Sequence, residues 1–198
     1  MSSARSSLAV GILVGMCMML GYWWIPTQAK EAGDESGIPA ATVADYVHAV
    51  IEADRTFYTI HVVERLQAKG VVTATENWRV TNTLPLPAQF LREAADLATK
   101  TGANIDYRLI SLWPINKLNG PADEFEKAGL TEVLTNQERA YTGIITREGD
   151  RYFRAIYADR AVSQACIGCH NAHPNSPKRD FKPNDVMGGI VISIPLGK

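Results

Sequence analysis

The motif Cys166-Ile167-Gly168-Cys169-His170 constrains this chain more than any other stretch of its sequence. Two thiols three positions apart, followed at once by a histidine, form the spacing through which c-type haem is attached. Each thiol can form a thioether with one vinyl group of the porphyrin, and the histidine becomes an axial ligand of the iron. The motif therefore predicts one covalent haem c, held by Cys166 and Cys169, with His170 as the proximal iron ligand.

Two other uses of a C-x-x-C pair are weighed against haem attachment. A thioredoxin-like pair opens a helix after a strand and needs no following histidine. A structural zinc site needs four ligands, which usually come from two such pairs. The chain has three cysteines, and the one outside the motif, Cys17, lies in a hydrophobic stretch. Covalent haem is therefore the favoured interpretation.

The run from Leu8 to Ile25 carries no charged residue and predicts a membrane-spanning helix. About 20 apolar residues are needed to cross the core of a bilayer as a helix. Arg5 precedes the run, and the aromatic residues 22–24 close it where an interfacial belt would lie. We expect residues 1–29 to anchor the protein in the inner membrane, with the remainder in the periplasm. The alternative is a signal peptide cleaved after Ala29, which would give a soluble periplasmic protein.

Residues 30–40 contain proline, glycine and charged residues, a composition typical of a linker. Residues 41–198 then form one domain, long enough to build a sizeable core. The formal net charge is −1 and no basic patch is evident, which argues against a nucleic-acid partner. No Ser/His/Asp or Cys/His catalytic set is recognisable, so we expect a binding protein rather than an enzyme.

Helical patterns come first along the domain and strand patterns later, which predicts an α+β fold. A long helix is expected over residues 41–69, ended by Gly70. The runs 141–146 and 151–157 are rich in β-forming residues and predict a β-hairpin. A closing strand is expected over residues 189–194, with Pro195 ending it.

The long helix supplies the predicted distal ligand. At about 100° per residue, several large apolar side chains of this helix fall close to one line. The residues on that line are Val43, Val47, Val50, Asp54, Phe57, Tyr58 and His61. His61 would then face the core, where an unpaired imidazole is costly, and it is the predicted second iron ligand. A histidine satisfied by hydrogen bonds is the alternative, and His48 lies off the line.

Other side chains are candidates for contacts with the haem, each with a plainer alternative. His173 follows His170 too closely to reach the opposite haem face, so a hydrogen bond within the loop is expected. Met187 can donate sulfur to iron, but its place at the start of a strand favours packing. The candidates for propionate contacts or a distal pocket, whose alternatives are surface charge and interface packing, are Lys178, Arg179, Arg154, Tyr58 and Asp54.

Several separated stretches, in the same order, resemble one known family. They are TLPLPAQFL at Thr83–Leu91, LISLWPIN at Leu109–Asn116, FRAIY at Phe153–Tyr157, CHNAHPNSPK at Cys169–Lys178 and DVMGG at Asp185–Gly189. The chain resembles c-type haem proteins with a PAS-like single-haem domain, a domain of unknown function found alone or ahead of chemoreceptor and histidine kinase modules. The resemblance covers residues 40–196 and implies an antiparallel sheet flanked by helices, with one covalent haem near the last strands.

The resemblance also implies a role. It suggests a redox or diatomic-gas sensor whose state is read by a signalling partner. The alternative is a one-electron carrier between membrane and periplasmic redox proteins. At least one member of the family is thought to use a cysteine as second axial ligand. Residues 41–198 contain no cysteine besides Cys166 and Cys169, so here the sixth ligand must differ or be absent.

Overall fold

The structure, a computed structural model, describes residues 37–197, so the predicted anchor at residues 1–29 lies outside the described residues. The helices are α1 (Ala40–Phe57), α2 (Arg65–Ala68), α3 (Trp78–Thr81), α4 (Pro87–Thr99), α5 (Glu124–Thr135) and α6 (Gln164–Ala172), with a π-helical segment at Tyr58–Glu64 and a 3-10 turn at Lys117–Asn119. The strands are β1 (Ala74–Thr75), β2 (Leu84–Pro85), β3 (Asp106–Ile110), β4 (Tyr141–Arg147), β5 (Asp150–Arg160) and β6 (Val186–Gly197). Within residues 37–197, no helix combines the length and the apolar character that crossing a membrane requires.

Strands β3, β6, β5 and β4 form, in that order, a four-stranded antiparallel sheet. β6 lies inside this sheet, where Ile192 is paired with Tyr107 on one side and with Ala155 on the other. The start of β6 lies close to β3, because a Cβ at Gly188 would collide with the carbonyl oxygen of Ile110. An antiparallel sheet flanked by helices confirms the predicted α+β class.

Helices cover both faces of the sheet, since neighbouring residues in a strand point to opposite sides. The cluster on the α1 and α4 side comprises Ala44, Ile51, Leu91, Ala95, Tyr107, Ala155, Ile190 and Ile192. The cluster on the α5 side comprises Ile110, Leu130, Val133, Ile156 and Val191. The end of β5 and the start of β6 therefore emerge from a packed layer, and the chain between them carries the predicted haem motif.

The predicted hairpin and closing strand are present, with different limits. β4 and β5 pair along their length, from Tyr141 opposite Ile156 to Arg147 opposite Asp150. β6 does not end at Pro195, as the sequence predicted, but continues to Gly197. Pro195 lies next to a register shift in the pairing with β5, and such irregularities relax the need for a ladder N–H.

The long helix predicted over residues 41–69 is divided into α1, the π-helical segment and α2, and a different side of it from the predicted one faces the core. The buried residues of this region are Ala44, Ile51, Arg55, Thr59 and Val63. Alanine, threonine and an ion-paired arginine thus occupy positions that a count of large apolar residues assigns to the surface. The buried side of this region is therefore not the side that the line of large apolar residues indicated.

The prediction that His61 faces the core is therefore wrong. Val50 is 61% exposed and Phe57 is 63% exposed, although both lie on the predicted apolar line. His61 is exposed as well. Beyond Phe57 the helix continues as the π-helical segment, whose wider hydrogen-bonding pattern changes the rotation per residue. An extrapolation at a constant 100° per residue fails from that point onward.

Candidate functional site

Helix α6 carries the whole haem motif on the connection between the last two long strands. Ser163 caps its start, and the Ser163 Oγ accepts a hydrogen bond from the Cys166 backbone N–H at 3.4 Å. Residues at i, i+3 and i+4 share one face of a helix, so Cys166, Cys169 and His170 lie on the same side of α6. Ile167 is buried in the apolar cluster beneath α6 and anchors the helix.

Both motif thiols are available for attachment. Cys166 is half-buried and Cys169 is exposed, and neither forms a disulfide in the described part of the chain. Burial raises the pKa of the Cys169 thiol, and the negative charges of Glu76 and Cys166 raise it further. Two cysteines without a disulfide are what haem attachment through a C-x-x-C-H motif requires.

His170 has the properties of a metal ligand. Burial lowers the pKa of His170, and His173 lowers it further, so the imidazole is neutral near pH 7. Neutral imidazole is the form that binds metal ions. The Nδ1 atom is buried and has no hydrogen-bond partner among residues 37–197. A neutral imidazole on the same helical face as two free thiols fits the predicted attachment of haem c.

One side of His170 is covered by a group of side chains that we call the aromatic corner, defined as Trp113, Lys178 and Phe181. The Phe181 ring lies edge-on to the His170 ring, with centroids 5.8 Å apart and planes at 87°. It meets the Trp113 ring in a similar way, at 5.9 Å and 75°. The Lys178 Nζ lies 4.9 Å from the centre of the Phe181 ring and 5.4 Å from that of Trp113.

Asn171, the residue after His170, fixes the loop that carries the aromatic corner. Its Nδ2 donates to the Phe181 carbonyl at 2.9 Å, and its Oδ1 accepts from the Phe181 N–H at 3.0 Å. This pair of hydrogen bonds satisfies both backbone groups of a residue that is only 3% exposed. The loop after α6 is therefore held back against the helix.

The other end of α6 contacts the first helical region. Glu64 in the π-helical segment accepts a hydrogen bond through Oε1 from the Ala165 N–H at 3.3 Å. Arg55 forms a buried ion pair with Asp159, near the end of β5. The Nε of Arg55 is buried without a hydrogen-bond partner in the described part of the chain. These contacts fix the start of α6 relative to α1 and the sheet.

The side chains predicted as alternative iron ligands are engaged elsewhere. His173 Nδ1 accepts a hydrogen bond from the Asn175 N–H at 3.2 Å, and its Nε2 lies 3.4 Å from a carboxylate oxygen of Glu76. Met187 is 6% exposed and packs in the apolar cluster with Ile167. His173 therefore has the loop role that the sequence suggested, and Met187 has a packing role.

His61 lies apart from the aromatic corner. Its ring contacts Phe57 of the same helical region, at a centroid distance of 4.9 Å. Tyr58, one of the distal-pocket candidates, donates its hydroxyl hydrogen to the Pro85 carbonyl at 2.7 Å. Asp54 is exposed. Within residues 37–197, none of these three side chains makes a hydrogen bond or a ring contact with the aromatic corner or with α6.

The three cationic residues considered as contacts for the haem propionates lie in two parts of the structure. Arg154 is buried and pairs with Asp123 at 2.6 Å and with the fully buried Glu126, at the α5 side of the sheet. Arg179 donates to the Pro174 carbonyl at 2.7 Å and so stabilises the loop after α6. Lys178 alone belongs to the aromatic corner beside His170.

The sequence argument missed Asn171, Phe181 and Glu64. Asn171 directly follows the motif and asparagine favours bonds to nearby backbone, so its position was a usable signal. Phe181 was detectable as an isolated aromatic residue in a polar loop. Glu64 offered no signal, because its orientation depends on the π-helical segment.

A solved structure and a family model match this chain. The crystal structure of the cyanobacterial heme-protein Tll0287 matches with a TM-score of 0.47 and 13% sequence identity, over 79% of this chain and 96% of that chain. No curated protein matches this sequence. Residues 36–195 match the Tll0287-like family, and this chain therefore belongs to the Tll0287-like family.

Proposed function

We propose that this protein binds one haem c covalently through Cys166 and Cys169, with His170 as proximal iron ligand. The observation that carries the proposal is the arrangement on α6, where two free thiols and the partly buried imidazole of His170 share one helical face. Membership of the Tll0287-like family supports it, since Tll0287 is itself described as a heme-protein.

Each residue has a distinct part in this proposal. Cys166 and Cys169 contribute their sulfur atoms to two thioether bonds, and His170 donates a ring nitrogen. Ser163 and Ile167 hold the helix in place through its cap and its buried side. Haem c supplies one-electron chemistry and an iron that binds diatomic gases.

For the physiological role we favour a redox or diatomic-gas sensor over an enzyme. The support comes from the three side chains that the sequence suggested as a second axial ligand of the iron. His173 uses both ring nitrogens within its own surroundings, Met187 is packed in a core cluster, and His61 is exposed. If none of these side chains binds the proposed haem iron, the iron would be able to bind an external ligand such as CO or NO, with a signalling protein as the partner.

A one-electron carrier is the second candidate, favoured by a specific contact path. Phe181 touches both His170 and Trp113, and Trp113 is partly exposed. Aromatic rings would therefore connect the proximal ligand with the surface, where a redox partner can dock.

We also propose that the uncharged run Leu8–Ile25 anchors the protein in the inner membrane with the haem domain in the periplasm, unless it is cleaved.

Covalent attachment is tested by producing the full chain with a c-type haem maturation system. The wild-type protein should retain haem stain on a denaturing gel and give a c-type pyridine haemochrome spectrum. The double variant Cys166→Ser/Cys169→Ser should lose the stain. Cys17→Ser is the matched control and should keep it. A colourless wild-type protein would overturn the proposal.

The two roles are separated by ligand binding. A sensor with a free iron position should bind CO rapidly in the ferrous state, with a clear change in the absorption spectrum. A carrier with both axial positions filled should bind CO slowly or only after a ligand leaves. The measurement is the rate of the absorption change after mixing the reduced protein with CO.

A further inference from the structure

The surroundings of His170 differ from those of most metal-binding histidines. A ligating histidine ordinarily donates its second ring N–H to a carboxylate, a carbonyl or water, which raises its basicity. The buried Nδ1 of His170 has no such acceptor among residues 37–197. Its neighbour is instead the Phe181 ring, at 5.8 Å and perpendicular to the imidazole.

The positively charged Lys178 lies near the rings of Phe181 and Trp113. The Lys178 Nζ lies 4.9 Å from the centre of the Phe181 ring and 5.4 Å from that of Trp113, a geometry in which a cation is attracted to the ring faces. The Lys178 side chain is 25% exposed, so solvent screens its charge only in part. Its partner Asp180 is 80% exposed and sits on the solvent side of the pair.

Hydrogen bonds from neighbouring side chains fix Phe181 and the backbone of Lys178. Asn171 fixes Phe181 through two backbone hydrogen bonds. Ser176 Oγ donates to the Lys178 carbonyl at 2.7 Å and so fixes the backbone from which the lysine extends. Phe181 therefore contacts both the His170 ring and the Lys178 ammonium group.

We propose that Lys178 is a positioning residue for the haem ligand: it holds Phe181 against His170 and places a positive charge one aromatic ring away from an imidazole whose Nδ1 has no acceptor among residues 37–197. The inference rests on the proposed haem attachment at Cys166, Cys169 and His170. A nearby positive charge stabilises the state with one more electron, and an imidazole without an acceptor is the weaker donor. Both effects favour ferrous iron and raise the midpoint potential.

The experiment measures the midpoint potential of the haem-loaded full chain by spectroscopic redox titration. Lys178→Met, which removes the charge and keeps an extended side chain, should lower the potential. Lys178→Arg keeps the charge and should restore a value near that of the wild type. Asp180→Asn removes the opposing carboxylate and should shift the potential in the other direction, upward.

A matched control separates this local effect from the general charge of the loop. Lys182 is exposed, and its backbone N–H donates a hydrogen bond to the Asp185 carboxylate. Lys182→Gln should shift the potential less than Lys178→Met, and the small shift should vanish at high salt, as expected for a screened surface charge. The shift in Lys178→Met should persist at high salt.

The outcomes distinguish this inference from the proposed function. If the wild-type protein holds no haem, both are overturned. If haem is retained but Lys178→Met has the wild-type potential, or shifts no more than Lys182→Gln, only the role of Lys178 is overturned. A shift of the same sign in Lys178→Met and Asp180→Asn would also overturn it, since loop disruption rather than charge would then be the cause.

Discussion

Arg55 on α1 and Asp159 near the end of β5 form an ion pair in which each side chain is 6% exposed. The two residues are separated by 104 positions in sequence, so the pair joins the first helix to the strand that leads into α6. A buried charge that loses its partner is strongly unfavourable. The pair therefore links the stability of the fold to the position of α6.

We expect Arg55→Leu to reduce the free energy of unfolding by about 3–5 kcal/mol, because Asp159 would be left buried and unpaired. The double variant Arg55→Leu/Asp159→Leu should cost less than the sum of the single changes, since neither charge remains. Urea unfolding followed by circular dichroism measures all three. The control is Arg79→Leu, which breaks an ion pair with Glu93 in which Arg79 is 62% exposed, and should cost about 1 kcal/mol or less. Equal losses in Arg55→Leu and Arg79→Leu would contradict the prediction.

The glycine inside the haem motif is predicted to be replaceable. A Cβ at Gly168 would meet no atom within 4 Å, and glycine within a helix is about 0.5–1 kcal/mol less favourable than alanine. Gly168→Ala should therefore keep its haem stain and raise the thermal unfolding midpoint slightly. Gly129→Ala is the contrasting change, because a Cβ there would lie 2.8 Å from Tyr141 Cδ1 and collide with Ile156. Overpacking of this kind should cost about 1–3 kcal/mol.

His48 predicts a pH dependence of stability. Its ring stacks on Tyr157 with centroids 3.9 Å apart, and its Nε2 is buried without a hydrogen-bond partner among the described residues. Burial lowers the pKa of His48, which outweighs the raising effect of Glu52 and Asp45. The unfolded state, with a histidine pKa of about 6.5, then binds a proton that the folded state does not.

Because the folded-state pKa is the lower one, the contribution of His48 is fully present above about pH 6.5 and is lost as the pH falls below that value. His48→Gln should make the free energy of unfolding less sensitive to pH between about 7.5 and 5.5 than it is in the wild type. Urea titrations at several pH values measure the two slopes. His61→Gln replaces an exposed histidine and should keep the wild-type slope. Identical slopes in wild type and His48→Gln would contradict the assignment.

The sequence was sufficient where local pattern and chemistry coincide. The hairpin at Tyr141–Arg147 and Asp150–Arg160 follows from β-forming runs around a turn, and the C-x-x-C-H spacing singles out the motif residues whatever the surrounding fold. The sequence was insufficient where a contact depends on distant residues. Arg55 is buried only because Asp159 lies opposite it, and no periodicity along α1 reveals that partner.

The same reasoning explains the error at His61. Its predicted burial required a regular helix and a core built from large apolar side chains. The core side of the first helical region instead uses Ala44 in α1 and Thr59 in the π-helical segment, which a hydrophobic pattern does not select. The π-helical segment Tyr58–Glu64 then changes the facing of every later residue, including Glu64, which meets α6.

His61 is not expected to bind the proposed haem iron. His61 was the sequence-based candidate, but it is exposed and its ring contacts Phe57 rather than any residue of α6. We therefore expect His61→Ala to retain haem and to show the same optical and EPR spectra as the wild type. His170→Ala is the positive control, since loss of the proximal ligand should change both spectra. A low-spin wild type that becomes high-spin in His61→Ala and binds CO faster would instead establish His61 as the distal ligand, and would require the first helical region to move when haem is attached.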